Sequence, residues 1–284
     1  MVKKRNRDPE VLAEATHADD DGSGSDTDMI DVEFEWFNFK PDVDFHGVKS
    51  LVRQLLDVDS QLFDVSALAD LILSQPTVGS TVKVDGEETD PYAFLTILNL
   101  YEHREKKVIK DLTEYLAAKG KTNSALAPLS GLLSSNAQVG LVLAERLINC
   151  PSEIAPPMYD MLIDEIEAAV EDKEPYEFTH YLIVSKTYHE IASTLDQEDA
   201  PKQKKNKAGK AKETFYFHPE DDVLQRHALA SGSFEYTKDE GEGMADSKRA
   251  FQEMGIKSQG SMILIEANKF DGAVKAIKEY LNAQ

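Results

Sequence analysis

The chain has 284 residues, of which 41% are apolar, so it can build a hydrophobic core and is not a disordered protein. Its formal net charge of −21 excludes a general nucleic-acid-binding protein, because phosphate contacts need many Lys and Arg residues. The same charge favours basic protein partners, since complementary fields steer encounter.

The first 30 residues predict a disordered tail, because they hold few aliphatic residues and end in a Gly-Ser-Gly-Ser stretch. Charge is sorted within this tail into a basic tip followed by acidic residues. The basic residues are Lys3, Lys4, Arg5 and Arg7. The acidic residues that we predict to bind a partner are Asp19, Asp20, Asp21, Asp26 and Asp28.

Two finer readings of the tail concern modification and metal binding. Ser23 and Ser25 each precede an aspartate by three residues, the spacing that acid-directed kinases favour, so both are candidate phosphosites, although a plain Gly-Ser linker has the same pattern. Asp19 begins a stretch that resembles a calcium loop. The twelfth position is Ile30, where a bidentate Glu is required, so no metal site is predicted.

A strand and two helices are predicted to begin the folded part. Apolar residues alternate with Glu33 and Glu35, which is typical of a strand. Asp44 and Asp64 are candidate N-caps of the two helices, since their carboxylates can accept hydrogen bonds from free backbone N–H groups. Apolar residues recur at helical spacing after each cap: Val48, Leu51, Val52, Leu55 and Leu56, then Val65, Leu68, Leu71 and Ile72.

A hairpin and three helices are predicted next. The β-branched run 77–84 and the apolar run 92–100 flank Asp85-Gly86, which indicates two paired strands, the second buried on both faces. The helices are predicted over 104–118, after Asn136 as a cap, and after Pro156 and Pro157. The middle helix would carry these residues on its inner face: Val139, Val142, Leu143 and Leu147.

The C-terminal part is predicted to alternate strands with two helices. Strands are expected at 178–188, 215–217, 234–237 and 262–267, and helices at 219–228 and 270–281. This order predicts an α/β (α+β) protein in which 31–284 form a single domain, with a mixed sheet flanked by helices.

A lysine-rich loop at 196–212 is predicted to be a disordered insertion within that domain. Together with the basic tip of the tail, it resembles a nuclear import signal, although a solvated loop has the same composition. The lysines that carry this prediction are Lys202, Lys204, Lys205 and Lys207. The loop lacks interleaved aromatic residues for base stacking, so no direct nucleic-acid contact is predicted.

Motifs for catalysis and cofactor binding are absent from the sequence. It has no phosphate-binding P-loop, no dinucleotide fingerprint, no H-E-x-x-H and no paired C-x-x-C, so no catalytic, cofactor or metal residue is predicted. Cys150, the one cysteine, fits a reducing compartment and is read as a buried structural thiol. No stretch approaches a membrane span, and no secretory signal is recognisable, so no membrane partner is expected.

Several sequence blocks in matching order resemble the BCCIP family of eukaryotic nuclear proteins over about residues 30–280. The blocks are Phe45-His46-Gly47-Val48, Asp90-Pro91-Tyr92-Ala93-Phe94-Leu95, Glu145-Arg146-Leu147-Ile148-Asn149, Ala155-Pro156-Pro157-Met158-Tyr159 and Phe215-Tyr216-Phe217-His218-Pro219. The resemblance implies an acetyltransferase-like (GNAT-like) fold without known enzymatic activity or cofactor. It also implies a protein of the nucleus that shuttles to the cytoplasm.

The resemblance further implies partners. Fungal-type members escort a basic large-subunit ribosomal protein, support ribosome biogenesis and help a lipid kinase leave the nucleus, which requires import and export receptors. Animal relatives are associated with cell-cycle and DNA-repair proteins, so a scaffold for such proteins is the alternative.

The implied fold raises a second alternative, a GNAT-type acetyltransferase. Such enzymes bind pyrophosphate through a [QR]-x-x-G-x-[GA] turn at a helix N-terminus. The nearest stretch here, 136–141, has Gln138 only two residues before Gly140, so we expect the cofactor site to be absent or filled.

Overall fold

A mixed sheet with helices on both faces forms the body of the protein in the computed structural model, which describes residues 32–190, 214–237 and 255–283. The described strands are β1 Glu35–Asn38, β2 Ser80–Lys83, β3 Ala93–Asn99, β4 Val139–Arg146, β5 His180–Glu190, β6 Thr214–Tyr216, β7 Ala230–Phe234 and β8 Ile256–Glu266. The described helices are α1 Pro41–Leu56, α2 Val65–Leu73, α3 Lys107–Thr122, α4 Ala127–Leu133, α5 Ala155–Glu171, α6 Pro219–Arg226 and α7 Ala267–Leu281.

The strand order is β1-β2-β3-β4-β5-β8-β7, and β6 pairs separately with the far end of β5. Among the described strands, β4 and β5 are the only parallel neighbours, and every other pair is antiparallel. Antiparallel neighbours can be joined by a short turn, as β2 and β3 are, whereas the parallel step from β4 to β5 requires a crossover, which α5 supplies.

Each face of the sheet has its own apolar core. On one face α1, α2, α3 and α4 pack on alternate residues of the central strands, such as Leu141, Leu182 and Leu264. On the other face α5, α6 and α7 pack on the intervening residues, such as Val142 and Ile183. This arrangement follows from the period of two along a strand, and it confirms the predicted α/β domain with a mixed sheet flanked by helices.

Three local predictions are confirmed. The Asp64 carboxylate accepts a hydrogen bond from the backbone N–H of Ala67 at 3.0 Å and so caps α2. Helix α5 begins at Ala155, with Pro156 and Pro157 in its first turn. The predicted hairpin is present as β2 and β3, and all seven residues of β3 are buried.

Asp44 was predicted to cap the first helix, which is wrong. Helix α1 begins earlier, at Pro41, and Asp44 lies inside its first turn with no exposed surface. Its carboxylate accepts from the backbone N–H of Lys40 at 2.7 Å and pairs with Lys83 Nζ at 2.6 Å. The acidic residue therefore ties the start of α1 to β2.

The helix predicted after Asn136 is also wrong, because Val139–Arg146 is the central strand β4. It pairs with β3 on one side and β5 on the other, so both of its edges are hydrogen-bonded, and its two faces lie in the two apolar cores. A Cβ at Gly140 would lie 2.3 Å from Ile97 Cδ1, so any larger residue would require the Ile97 side chain to move. The predicted strand 234–237 is shifted, since β7 ends at Phe234.

The predicted disorder of 1–30 and of 196–212 lies outside the described residues. Contacts within the chain divide it into two units, 1–33 and 34–284. Among the described helices, none has both the length and the apolar character needed to cross a membrane.

Candidate functional site

The sheet opens between β4 and β5. The two strands pair in parallel from Val139 to Leu143 and from His180 to Val184, and the pairing then stops. Beyond this point β6 takes the place of β4 along Thr187–His189 of β5. The crevice at the carboxyl ends of diverging parallel strands is where open α/β sheets commonly bind ligands, so it is the first place to look for a site.

A buried ionic cluster fills this crevice, and Glu145 is its centre. Glu145 is 2% exposed; it pairs with Lys186 Nζ from β5 at 2.6 Å and accepts a hydrogen bond from His218 Nε2 at 3.1 Å. Burial opposes ionisation of Glu145, but the hydrogen bond from His218 and the charge of Lys186 outweigh it and lower the pKa of Glu145 to about 2. The carboxylate therefore stays charged inside the protein.

His218 comes from the turn between β6 and α6, so the cluster holds an inserted segment in place. Burial disfavours its imidazolium form, yet the hydrogen bond to Glu145 and the nearby carboxylates raise the pKa of His218 above its usual value. Lys186 also donates to the backbone oxygen of Gln54 at 3.1 Å, and Gln54 Nε2 donates to the backbone oxygen of Arg146 at 2.8 Å. These bonds join α1, β4 and β5 around the inserted turn.

The other side of the cluster lies at the start of α6. Arg146 donates from both terminal nitrogens to the Glu220 carboxylate, a bidentate pair in which Nη2 and Oε2 are 3.1 Å apart. Asp221 accepts a hydrogen bond from the Ser185 hydroxyl and is 2% exposed. Burial, opposed by His218 and reinforced by Glu220, raises the pKa of Asp221 to about 7. The first turn of α6 is thereby fixed against β4 and β5.

Little space remains in the crevice for a substrate. The void beside Glu145, Arg146 and Glu220 measures about 20 Å³, close to the space that one water molecule needs. Ligand pockets are at least an order of magnitude larger. The chemistry of this cluster is therefore to bind the β6–α6 segment to the sheet, and the segment fills the crevice where a ligand would lie.

Cys150 follows β4 and is buried, as predicted. Burial raises the pKa of its thiol to about 11, so the thiolate that a nucleophile requires is scarce at neutral pH. Among the described residues no group of three His, Cys, Asp or Glu side chains could hold a metal ion.

A depression of the described surface lies between α1 and the start of α2. It measures about 490 Å³ and is open to solvent. Charges of both signs line it, from Lys49 and Arg53 on α1 and from Asp64 at the start of α2. Ser60 and Ser66 also line it, but the Asp64 carboxylate accepts the backbone N–H of Ala67 as the cap of α2, so the depression offers a surface for contact.

Acidic charge is concentrated on the folded body. The described residues hold 34 Asp and Glu against 18 Lys and Arg, a net charge of −16 out of −21 for the whole chain. One acidic face runs along α5, where four residues follow the spacing 4, 3, 4 of a single helix face: Asp160, Asp164, Glu167 and Glu171. The spacing is visible in the sequence, but the predicted partner-binding residues were those of the acidic tail.

The comparisons with known proteins agree with these features. The family model for BCCIP matches residues 29–224, more than half of the chain. The chain belongs to the BCCIP family. The matched span contains the whole ionic cluster of the β4–β5 crevice and begins after most of the acidic tail.

Fungal relatives match along the full length. Protein BCP1 of Gibberella zeae is 59% identical over 100% of this chain and 99% of its own. Protein bcp1 of Schizosaccharomyces pombe is 45% identical over 91% and 93%. The crystal structure of BCP1 from Saccharomyces cerevisiae matches with a TM-score of 0.59 and 27% identity, over 88% of this chain and 89% of that one. The chain is thus a BCP1-type protein, and these names denote no enzymatic activity.

The site residues predicted from this family member's sequence all lie outside the described residues, so they stay predictions. They are the import residues Lys3, Lys4, Arg5, Arg7, Lys202, Lys204, Lys205 and Lys207, the acidic residues Asp19, Asp20, Asp21, Asp26 and Asp28, and the phosphosites Ser23 and Ser25. Sequence reasoning did not predict the acidic face of α5 or the ionic cluster in the β4–β5 crevice.

Proposed function

We propose that this protein is a nuclear escort that binds a basic large-subunit ribosomal protein and shields it before assembly. The observation that carries the proposal is the net charge of −16 on the described residues of a BCP1-type protein. A ribosomal protein is basic because it binds RNA, and an acidic surface can occupy the same cationic side chains. The filled β4–β5 crevice supports a binding protein without catalysis.

Charge complementarity gives this escort a clear physical signature. Exposed charges interact over about 10 Å at 0.1 M salt and over about 3 Å at 1 M, so encounter slows and affinity falls as salt rises. The tail 1–30 contributes eight carboxylates and four cations, or −4, to the total of −21. Most of the electrostatic attraction is therefore expected to come from the body, with the tail adding to it.

Titration of the full-length protein with a purified basic large-subunit ribosomal protein tests the proposal. Affinity is expected to fall steeply between about 0.05 M and about 0.5 M salt. Deletion of residues 1–30 is expected to weaken binding by less than this rise in salt does. Reversing charge on the α5 face with Glu167→Lys and Glu171→Lys, against the uncharged pair Glu167→Gln and Glu171→Gln, measures the part played by the body. Binding that ignores both salt and charge reversal contradicts the electrostatic mechanism.

Nuclear traffic is the second part of the proposal. Lys3, Lys4, Arg5 and Arg7 and the lysine loop would bind an import receptor, and an export receptor would return the protein, with a lipid kinase as cargo, to the cytoplasm. A fluorescent fusion with alanine at the four tail cations, at the loop lysines, or at both reports which cluster acts. Nuclear accumulation that persists when both are removed contradicts this assignment.

A further inference from the structure

The two edges of the sheet differ in how they are covered. At β7 the side chain of Asn123 donates to the backbone oxygen of Ser233 at 2.9 Å, and Lys119 Nζ donates to the backbone oxygen of Glu235. At β1, among the described residues, only β2 hydrogen-bonds to the strand backbone. Alternate N–H and C=O groups of β1 therefore point outward without a partner from the described chain.

Proteins usually protect such an edge, and here the protection is acidic. Glu35 lies on β1, and the β2–β3 turn brings further exposed carboxylates towards the same edge: Asp85, Glu87, Glu88 and Asp90. Lys40 follows β1 and pairs with Glu88 and, at 3.7 Å, with Glu87, which shows that this turn lies beside the strand. Lys40 is half-buried and is the one cation in this described set, so the edge has an excess of negative charge.

This excess selects the occupant. Two copies of the chain that paired edge to edge would bring the carboxylates of both together, and like charges that face each other across a strand pair are destabilising. Nucleic acid is repelled for the same reason. An extended Lys- and Arg-rich polypeptide can complete the backbone hydrogen bonds and place its cations against the carboxylates.

Apolar contacts are available beside the same strand. Phe34 and Trp36 are half-buried on the face that carries α5. The ring of Phe34 packs edge-to-face on the ring of Tyr92, with 6.1 Å between the ring centroids. An added strand presents its alternate side chains to this face. The aliphatic stems of its lysines and its β-branched residues would pack on these rings.

We propose that the free edge of β1 binds an extended basic segment of a partner protein as an additional strand, held by backbone hydrogen bonds and by the carboxylates around Glu35. The inference rests on the proposed function, since it names the surface through which a basic client would be held. It adds that recognition is through the backbone, so the client segment has to be extended when bound.

The test uses the full-length protein and a synthetic peptide in which lysine alternates with valine. Hydrogen exchange is measured over residues 34–40 with and without the peptide. The peptide is expected to slow exchange at β1, and its N-methylated form, which has the same charge but cannot complete a ladder, is expected to bind at least tenfold more weakly. Glu35→Lys is expected to weaken binding about fivefold, since it replaces an exposed attraction by a repulsion. The matched reversal Glu114→Lys, at an exposed position of α3, is expected to change it less than about twofold.

Three outcomes would overturn the proposal. Equal binding of the N-methylated peptide means that charge alone holds it. Protection at α5 instead of β1 places the surface elsewhere. Concentration-dependent protection of β1 in the absence of peptide means that a second copy is the occupant.

As a control for folding, Glu35→Lys should unfold at the same temperature as the wild type, which excludes misfolding as the cause of weaker binding. A ribosomal protein that binds the wild-type chain without protecting β1 contradicts the edge proposal alone, whereas one that does not bind at all contradicts the escort.

Discussion

Replacement of Asp221 by asparagine is expected to change how the stability of the protein depends on pH. Asp221 is 2% exposed at the start of α6, and burial raises the pKa of its carboxyl to about 7. In the unfolded chain the carboxyl titrates near 3.8. Between these values the folded state holds a proton that the unfolded state has lost, so the stability contributed by protonated Asp221 is lost as pH rises towards 7.

The magnitude follows from linkage. Each pH unit in this window changes the free energy of unfolding by about 1.4 kcal/mol, so the wild type loses about 3 kcal/mol between pH 5 and pH 8 through this group. Asparagine keeps an oxygen that can accept the Ser185 hydroxyl hydrogen bond and cannot ionise. The advantage of Asp221→Asn over the wild type in unfolding free energy is therefore expected to grow by about 3 kcal/mol between pH 5 and pH 8.

The assay is urea unfolding of both proteins at several values between about pH 5 and pH 8. His218 also has a raised pKa, so its contribution is likewise lost as pH rises, and the difference between the two proteins reports Asp221 together with its interaction with His218. Asp222→Asn, in the same turn of α6 but half-exposed, is the matched control and is expected to keep the loss of stability between pH 5 and pH 8, because Asp221 is intact in it. Parallel curves for the wild type and Asp221→Asn would refute the reasoning.

Three further predictions concern stability and reactivity. Glu145→Gln leaves the buried Lys186 without its carboxylate and is expected to lower the free energy of unfolding by about 3–5 kcal/mol, measured in urea. The exposed control Glu153→Gln should change it by less than about 0.5 kcal/mol. Equal effects would contradict a structural role of the cluster. Asp64→Ala removes the cap of α2 and is expected to cost about 1 kcal/mol, and an unchanged midpoint would contradict the capping bond. Cys150 is expected to react with a thiol reagent at pH 8 about 100-fold more slowly in the native protein than in guanidinium, because burial raises the pKa of its thiol to about 11 and leaves little thiolate. Comparable rates in the two conditions would contradict its burial.

The strands and helices that could be predicted are those whose pattern is local. Helix α2 could be predicted because Asp64 precedes apolar residues at helical spacing. Strands β2 and β3 could be predicted because two strand-like runs flank the turn at Asp85-Gly86. Strand β4 could not be recognised, because a strand buried on both faces is continuously apolar and its residues also satisfy a helical period. Its conformation is decided by hydrogen bonds to β3 and β5, which no local pattern reports.

The crevice cluster was unpredictable for a related reason. Its members come from 145–146, from 185–186 and from 218–221, and each is an ordinary polar residue in its own segment. They meet only because β4 and β5 diverge and the segment after β6 enters the gap. The absence of a phosphate-binding turn near Gln138 stays a prediction; in the fold Val139–Leu141 belong to the strand β4 and do not open a helix.

The distribution of charge bears directly on how an escort would release its client. If the tail 1–30 supplied most of the attraction, a single event there, such as phosphorylation of Ser23 and Ser25, could control binding by itself. The tail, however, contributes only −4, and the lysine loop 196–212 contributes six cations against three carboxylates, or +3, so together they change the net charge by about one unit. The remaining −20 lies on the rest of the chain, and −16 of it lies on the described residues. Release is therefore expected to require competition for the client, by ribosomal RNA for example, whose phosphates outnumber the carboxylates of the body and carry charge at higher density. Adding RNA to the preformed complex should then accelerate dissociation at constant salt, equally with and without residues 1–30.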